Sequence, residues 1–135
     1  MPYRDLWEDP PRPRSFRAFV RAATDHGLPV WILENGLCNR VKDGRSFPRS
    51  DGWTRIRYLL EHVPLVAELA AAGVPIDAYV HWSLYDNYEW GSYEPRFGIH
   101  GIDRRGSKPE RLTHDSMGHD AAGAYTKLVR ETREM

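Results

Sequence analysis

Apolar residues along the chain change period several times, and the changes mark out its elements. Phe16, Phe19, Val20 and Ala23 fall at helical spacing, and Gly27 followed by Pro29 supplies a stop. Val30 to Leu33 is apolar throughout and too short for a helix, which predicts a parallel strand covered on both faces. Residues 37–52 show little periodicity and hold Asn39, Asp43, Gly44, Pro48, Asp51 and Gly52, the composition of a long loop. From Trp53 to Ala72 the set Ile56, Leu59, Leu60, Val63, Val66, Leu69 and Ala70 predicts a long amphipathic helix. Pro64 inside it is expected to bend or interrupt it. A second strand follows over 76–82, then a loop-rich stretch over 83–117 with short extended pieces near Phe97–Ile102. Ala121, Ala124, Tyr125, Leu128 and Val129 give a final helix.

The predicted order is α-β-α-β-α, an α/β chain with long loops only after its strands. The helix-to-strand turns Gly27-Leu28-Pro29 and Gly73-Val74-Pro75 are short. In (β/α) barrels the post-strand loops build the active-site face, so this asymmetry directs attention to Glu34 and Trp82, each where a strand meets its long loop. Residues 1–13, with four prolines, read as an extended lead-in to a single domain spanning 1–135.

Composition narrows the function classes. Nineteen basic and nineteen acidic residues leave no net field to draw nucleic acid or an anionic membrane. No apolar run approaches a membrane span, and the opening residues lack the apolar stretch of a signal peptide. The one cysteine, Cys38, excludes an intramolecular disulfide and fits a reducing compartment, so a cytoplasmic protein is expected. Five tryptophans and seven tyrosines exceed ordinary core needs and hint at a binding surface.

The candidate chemistry lies in two motifs. Glu34-Asn35-Gly36 closes the first strand, and Trp82-Ser83-Leu84-Tyr85-Asp86-Asn87-Tyr88-Glu89-Trp90 follows the second. Carboxylates with flat indole faces suit sugar chemistry, where charge stabilises an oxocarbenium-like centre and rings cover C–H surface. Asp86 and Asn87 are read first as loop-shaping Asx residues. Alternation points His81 away from Trp82, a packing position. Cys38 reads as a small apolar filler. His114 and His119 lack the spacing of a helical metal pair, and no metal is expected.

These motifs, with Arg55-Ile56-x-Tyr58-Leu59-x-x-His62, Arg96-Phe97-Gly98 and Ile102-Asp103 in order between and after them, resemble the C-terminal portion of family 1 glycoside hydrolases, the β-glucosidase family. The resemblance covers residues 14–132 and implies a partial (β/α)8 TIM barrel: the last two β/α units, strands seven and eight, with the preceding helix. It implies that Glu34 is the nucleophile of retaining β-glycoside hydrolysis, forming a covalent glycosyl-enzyme. It further implies that Trp82 is the sugar platform and that Glu89 accepts from the 4- and 6-hydroxyls. Trp90 would reach the 3-hydroxyl, and Phe97 would line the pocket. Glu89 would repel a 6-phosphate, so an unphosphorylated glucoside or galactoside is the expected ligand. No organic cofactor is implied.

The chain departs from the family's pattern in lacking its Asn-Glu-Pro acid/base motif. Tyr93-Glu94-Pro95 aligns with the strand-eight loop and is not a substitute. The glycone-pocket residues from earlier strands and the tyrosine that orients the nucleophile are also missing. A barrel takes about 250 residues. The chain alone is therefore expected to be inactive and sticky unless a complementary barrel chain or self-association completes it. A non-catalytic sugar-binding or interaction module, or a truncated remnant, are the alternatives.

Overall fold

The computed structural model describes residues 9–89 and 91–133. Its elements run α1 (Pro13–Thr24), β1 (Val30–Asn35), β2 (Val41–Lys42), β3 (Arg45–Ser46), α2 (Arg55–Ala71), β4 (Ile76–His81), β5 (Ile102–Asp103), β6 (Glu110–Arg111) and α3 (Ala121–Arg133). The α-β-α-β-α order holds for the long elements. Most of the expected lead-in lies outside the described residues, and Pro13 belongs to α1 rather than to it. A proline is favoured in the first turn, where its missing N–H costs nothing.

β1 and β4 pair in parallel, with Trp31 opposite Ala78 and Ile32 opposite Tyr79. The helices cover one face of this pair. Ile32 packs there with Val20, Leu65, Val66 and Leu69, joining α1, β1 and α2. A second core joins α2 and α3 through Leu59, Val63, Ala121 and Leu128, with Ile99 from the loop after β4. α2 is thus the central element, buried toward both neighbours. Thr54 caps it by accepting a hydrogen bond from Arg57 N at 3.1 Å.

Some expectations need correction. β1 is not covered on both faces: Trp31 is 63% and Leu33 59% exposed, as is Val80 of β4 at 45%, because every helix packs on the opposite face. As expected of two strands, the pair closes no barrel; among the described residues it is a two-stranded sheet. Pro64 does not interrupt α2. The carbonyl that loses its N–H partner is that of Leu60, which lies on the solvent side of the helix rather than in its buried stripe. Loop 37–52 also contains a small antiparallel hairpin, β2–β3. Its turn is Asp43-Gly44, both at positive φ (53° and 73°), the geometry that a two-residue hairpin turn requires.

Candidate active site

Glu34 sits next to last in β1, with its side chain exposed and without a hydrogen-bond or ion-pair partner among the described residues. The backbone on either side of it is tightly held. Asn35 is buried; its Oδ1 accepts from the Tyr79 hydroxyl at 2.9 Å, and its carbonyl accepts from Trp82 N at 3.1 Å. Tyr79 in turn lies 3.2 Å from His81 Nδ1. Because the Tyr79 proton goes to Asn35, His81 donates from Nδ1 to the Tyr79 oxygen. Burial pushes the Tyr79 phenol up, so it stays a neutral donor. Burial also pushes the His81 imidazole down to about 4, with the Arg55 and His62 charges adding to the effect. His81 is a core residue ringed by Tyr58, Tyr79 and Tyr125, in agreement with its sequence reading.

Gly36 joins the two motifs. A Cβ at this position would stand 1.7 Å from the carbonyl oxygen of Trp82, so only glycine lets the ends of β1 and β4 come this close. The glutamate motif and the tryptophan motif are neighbours in space for that reason.

Beyond β4, the Trp82–Ser83 peptide is cis. The half-buried Trp82 donates its indole N–H to Glu89 Oε1 at 3.0 Å, and Asn87 Nδ2 donates to the same oxygen at 2.7 Å. Glu89 and Ser92 exchange backbone hydrogen bonds at 2.8 and 3.0 Å, which pins the backbone at Glu89. Trp82 and Glu89 are therefore brought into direct contact. Asn87, read from sequence as a loop residue, orients Glu89. Asp86 does shape the loop: its two oxygens accept from Gly98 N (2.9 Å) and Ile102 N (3.2 Å). Burial raises its carboxyl, and these N–H groups with the Arg96 charge oppose the shift. Phe97 is buried at 8% exposure, and Trp90 lies outside the described residues.

Sequence reasoning assigned no task to Arg55, yet it holds both loops. Its side chain is fully buried. Nη2 donates to Leu37 O (3.0 Å) and Arg96 O (2.7 Å), and Nε donates to Phe97 O (3.2 Å). Nη1 donates to Asn39 Oδ1 (3.2 Å) and to Asp115 Oδ2 (3.0 Å). The only sequence signal was its place in the Arg-Ile-x-Tyr motif at the start of α2. Cys38, in the same region, has its thiol pushed up to about 11 by burial and stays protonated, as a filler should.

Comparison with known proteins places these features in a wider context. The sequence profile of glycosyl hydrolase family 1 matches residues 7–131. A chloroplastic benzoxazinoid-glucoside β-D-glucosidase of Secale cereale is 34% identical over 85 residues, which is 62% of this chain and 15% of that protein. The β-glucosidase of an Agrobacterium species is 38% identical over 80 residues, 58% of this chain and 17% of that protein. Among solved structures, a β-glucosidase from Exiguobacterium marinum superposes with a TM-score of 0.65 at 32% identity, covering 88% of this chain and 26% of that one. A Thermotoga maritima β-glucosidase in complex with noeuromycin gives 0.67 at 29% identity, covering 90% and 26%. The chain thus spans about a quarter of the solved structures it matches and less of the other relatives.

Proposed function

The chain belongs to glycosyl hydrolase family 1, and from that premise we propose that it carries the nucleophile side of a retaining β-glycosidase site. Glu34 is the attacking carboxylate. Trp82, Glu89, Trp90 and Phe97 form the sugar-facing wall. The observation that carries the reading is the contact at Gly36, which sets the Glu34 strand end directly beside Trp82 and its partner Glu89. Glu34, with no partner among the described residues, is free to meet a substrate carbon. Glu89, fixed by Trp82 and Asn87 and ready to accept further hydrogen bonds, suits hydroxyls and not a phosphate. An unphosphorylated β-glucoside or β-galactoside is the proposed substrate.

Retaining hydrolysis needs a second carboxylic acid roughly 5 Å across the scissile bond. The proposed source is a complementary chain supplying the remaining β/α units. The bare sheet face at Trp31, Leu33 and Val80 and the unpaired outer edges of β1 and β4 among the described residues support a docked partner there. In this proposal the chain forms the last two β/α units of a barrel.

The test is an aryl β-glucoside assay of the purified chain, alone and after mixing with the unmatched remainder of a family relative. No turnover is expected alone. Turnover is expected in the mixture, falling by at least about 10³-fold with Glu34→Gln. Turnover by the chain alone would overturn the split-site reading. The sugar-binding alternative draws on one observation, that the Trp82–Asn87–Glu89 network is complete within this chain. Sugar binding unchanged by Glu34→Gln but lost with Trp82→Ala, without turnover in any mixture, would favour it.

A further inference from the structure

A cavity of about 440 Å³ lies away from Glu34, Trp82 and Glu89, none of which lines it. It opens between the β2–β3 hairpin and the segments around β5 and before α3. Arg45, Ser46, Arg96, Arg104 and Ser116 stand on its wall. Four of the residues lining it each carry a buried polar atom with no hydrogen-bond partner: Ser46 Oγ, Arg96 Nη1, Arg104 Nε and Ser116 Oγ. A buried donor left unpaired costs about 1–3 kcal/mol, and native folds keep few of them. Four such residues border one cavity.

The charges point the same way. Asp103 also lines the cavity, but Arg105 already occupies it, with Nε donating to Oδ1 at 3.0 Å and Nη2 to Oδ2 at 2.6 Å. Arg96, 8% exposed, has Asp86 only at 4.0 Å, and that carboxylate accepts from two backbone N–H groups. Arg45 and Arg104 have no carboxylate partner among the described residues. Arg104 has its guanidinium over the Tyr93 ring at 3.9 Å. Burial pushes the Arg96 guanidinium down and the Arg104 charge adds to it, against the Asp86 and Asp103 carboxylates. Two guanidinium groups without a carboxylate partner, Arg45 and Arg104, stand with the Arg96 guanidinium and two hydroxyl residues around a space with no competing free acid.

We infer that this cavity binds a tetrahedral oxyanion carrying about two negative charges, a phosphate that is free or the head of a small monoester. A carboxylate offers two oxygens in one plane. Phosphate offers three or four spread in space, as the two arginines and two serines are spread. The volume exceeds what one oxyanion fills, and Ile102, Leu112 and Met117 give the remainder apolar wall for an organic group. The inference is independent of the glycosidase reading, since the two sites share no residue beyond the Arg96 backbone next to Phe97.

Isothermal titration calorimetry at low ionic strength tests it, with inorganic phosphate in one arm and glycerol phosphate in the other. Saturable one-to-one binding is expected. Arg45→Gln and Arg104→Gln, neither of them in a core, are each expected to weaken it by about tenfold, or about 1.4 kcal/mol, with the far-ultraviolet circular dichroism unchanged. Tighter binding of glycerol phosphate assigns the apolar wall to a monoester; equal affinity assigns the site to the free ion. No saturable binding in either arm would overturn the inference, as would undiminished affinity in the folded double variant.

Discussion

Arg55 directs every N–H of its guanidinium at a protein oxygen, and three of those oxygens are backbone carbonyls of the loops that follow β1 and β4. Its charge is balanced by Asp115, which is equally buried. Removing one member of such a pair leaves the other as an uncompensated buried charge. Arg55→Met is expected to cost about 3–5 kcal/mol in urea unfolding. Adding Asp115→Asn, which removes that charge, should recover part of the loss. His81 makes a different prediction. In the folded chain it stays neutral down to about pH 4, whereas the unfolded chain takes up a proton near 6.5. Between those values the unfolded state binds more protons, so stability is full above 6.5, declines as pH falls toward 4, and levels off below. Thermal unfolding across this range should show the decline, and His81→Asn should flatten it. At this scale sequence revealed Glu34, Trp82 and Glu89 as a carboxylate and aromatic set. It did not reveal Arg55 or Asn87, because a hydrogen bond to a distant oxygen leaves no mark on local composition.

The elements follow from periodicity where one face is buried. α2 ends within two residues of its expected bounds, α1 and α3 contain their apolar sets, and β1 and β4 match their short apolar runs. The β2–β3 hairpin was within reach of the sequence. Asp43-Gly44 between short extended pairs is a two-residue turn signal, hidden in a stretch without periodicity. The register that brings β1 to β4 rests on Gly36. Gly36→Ala would drive a methyl into the Trp82 carbonyl, and backbone on both sides gives little room to yield. Expected are a fall in melting temperature and faster exchange of the Trp82 amide, which bonds to Asn35 O, read by hydrogen–deuterium exchange. An unchanged Trp82 amide would show that the strand ends are not held by this contact.

The whole molecule has a covered face and a bare one. Helices pack on one side of β1 and β4, and Trp31, Leu33 and Val80 stand exposed on the other, beside strand edges with no partner among the described residues. Apolar area next to an open strand edge favours association. Sedimentation velocity should show mass rising with concentration, and Trp31→Lys with Leu33→Lys should shift the chain toward monomer while leaving its circular dichroism intact. A wild-type chain monomeric at all concentrations would remove this support for a docked partner. The sequence by itself determined the helices, the two parallel strands and the family, since these depend on local spacing and on motifs in order. It also singled out Glu34 and the Trp82–Glu89 segment, because those motifs carry their chemistry in neighbouring residues. Only the tertiary structure decided which sheet face is covered, that Gly36 admits the Trp82 carbonyl, that Arg55 clasps both loops, and that unpaired donors gather around a cavity. Each of these is a contact between residues far apart in the chain, fixed by packing in three dimensions and written in no single stretch of sequence.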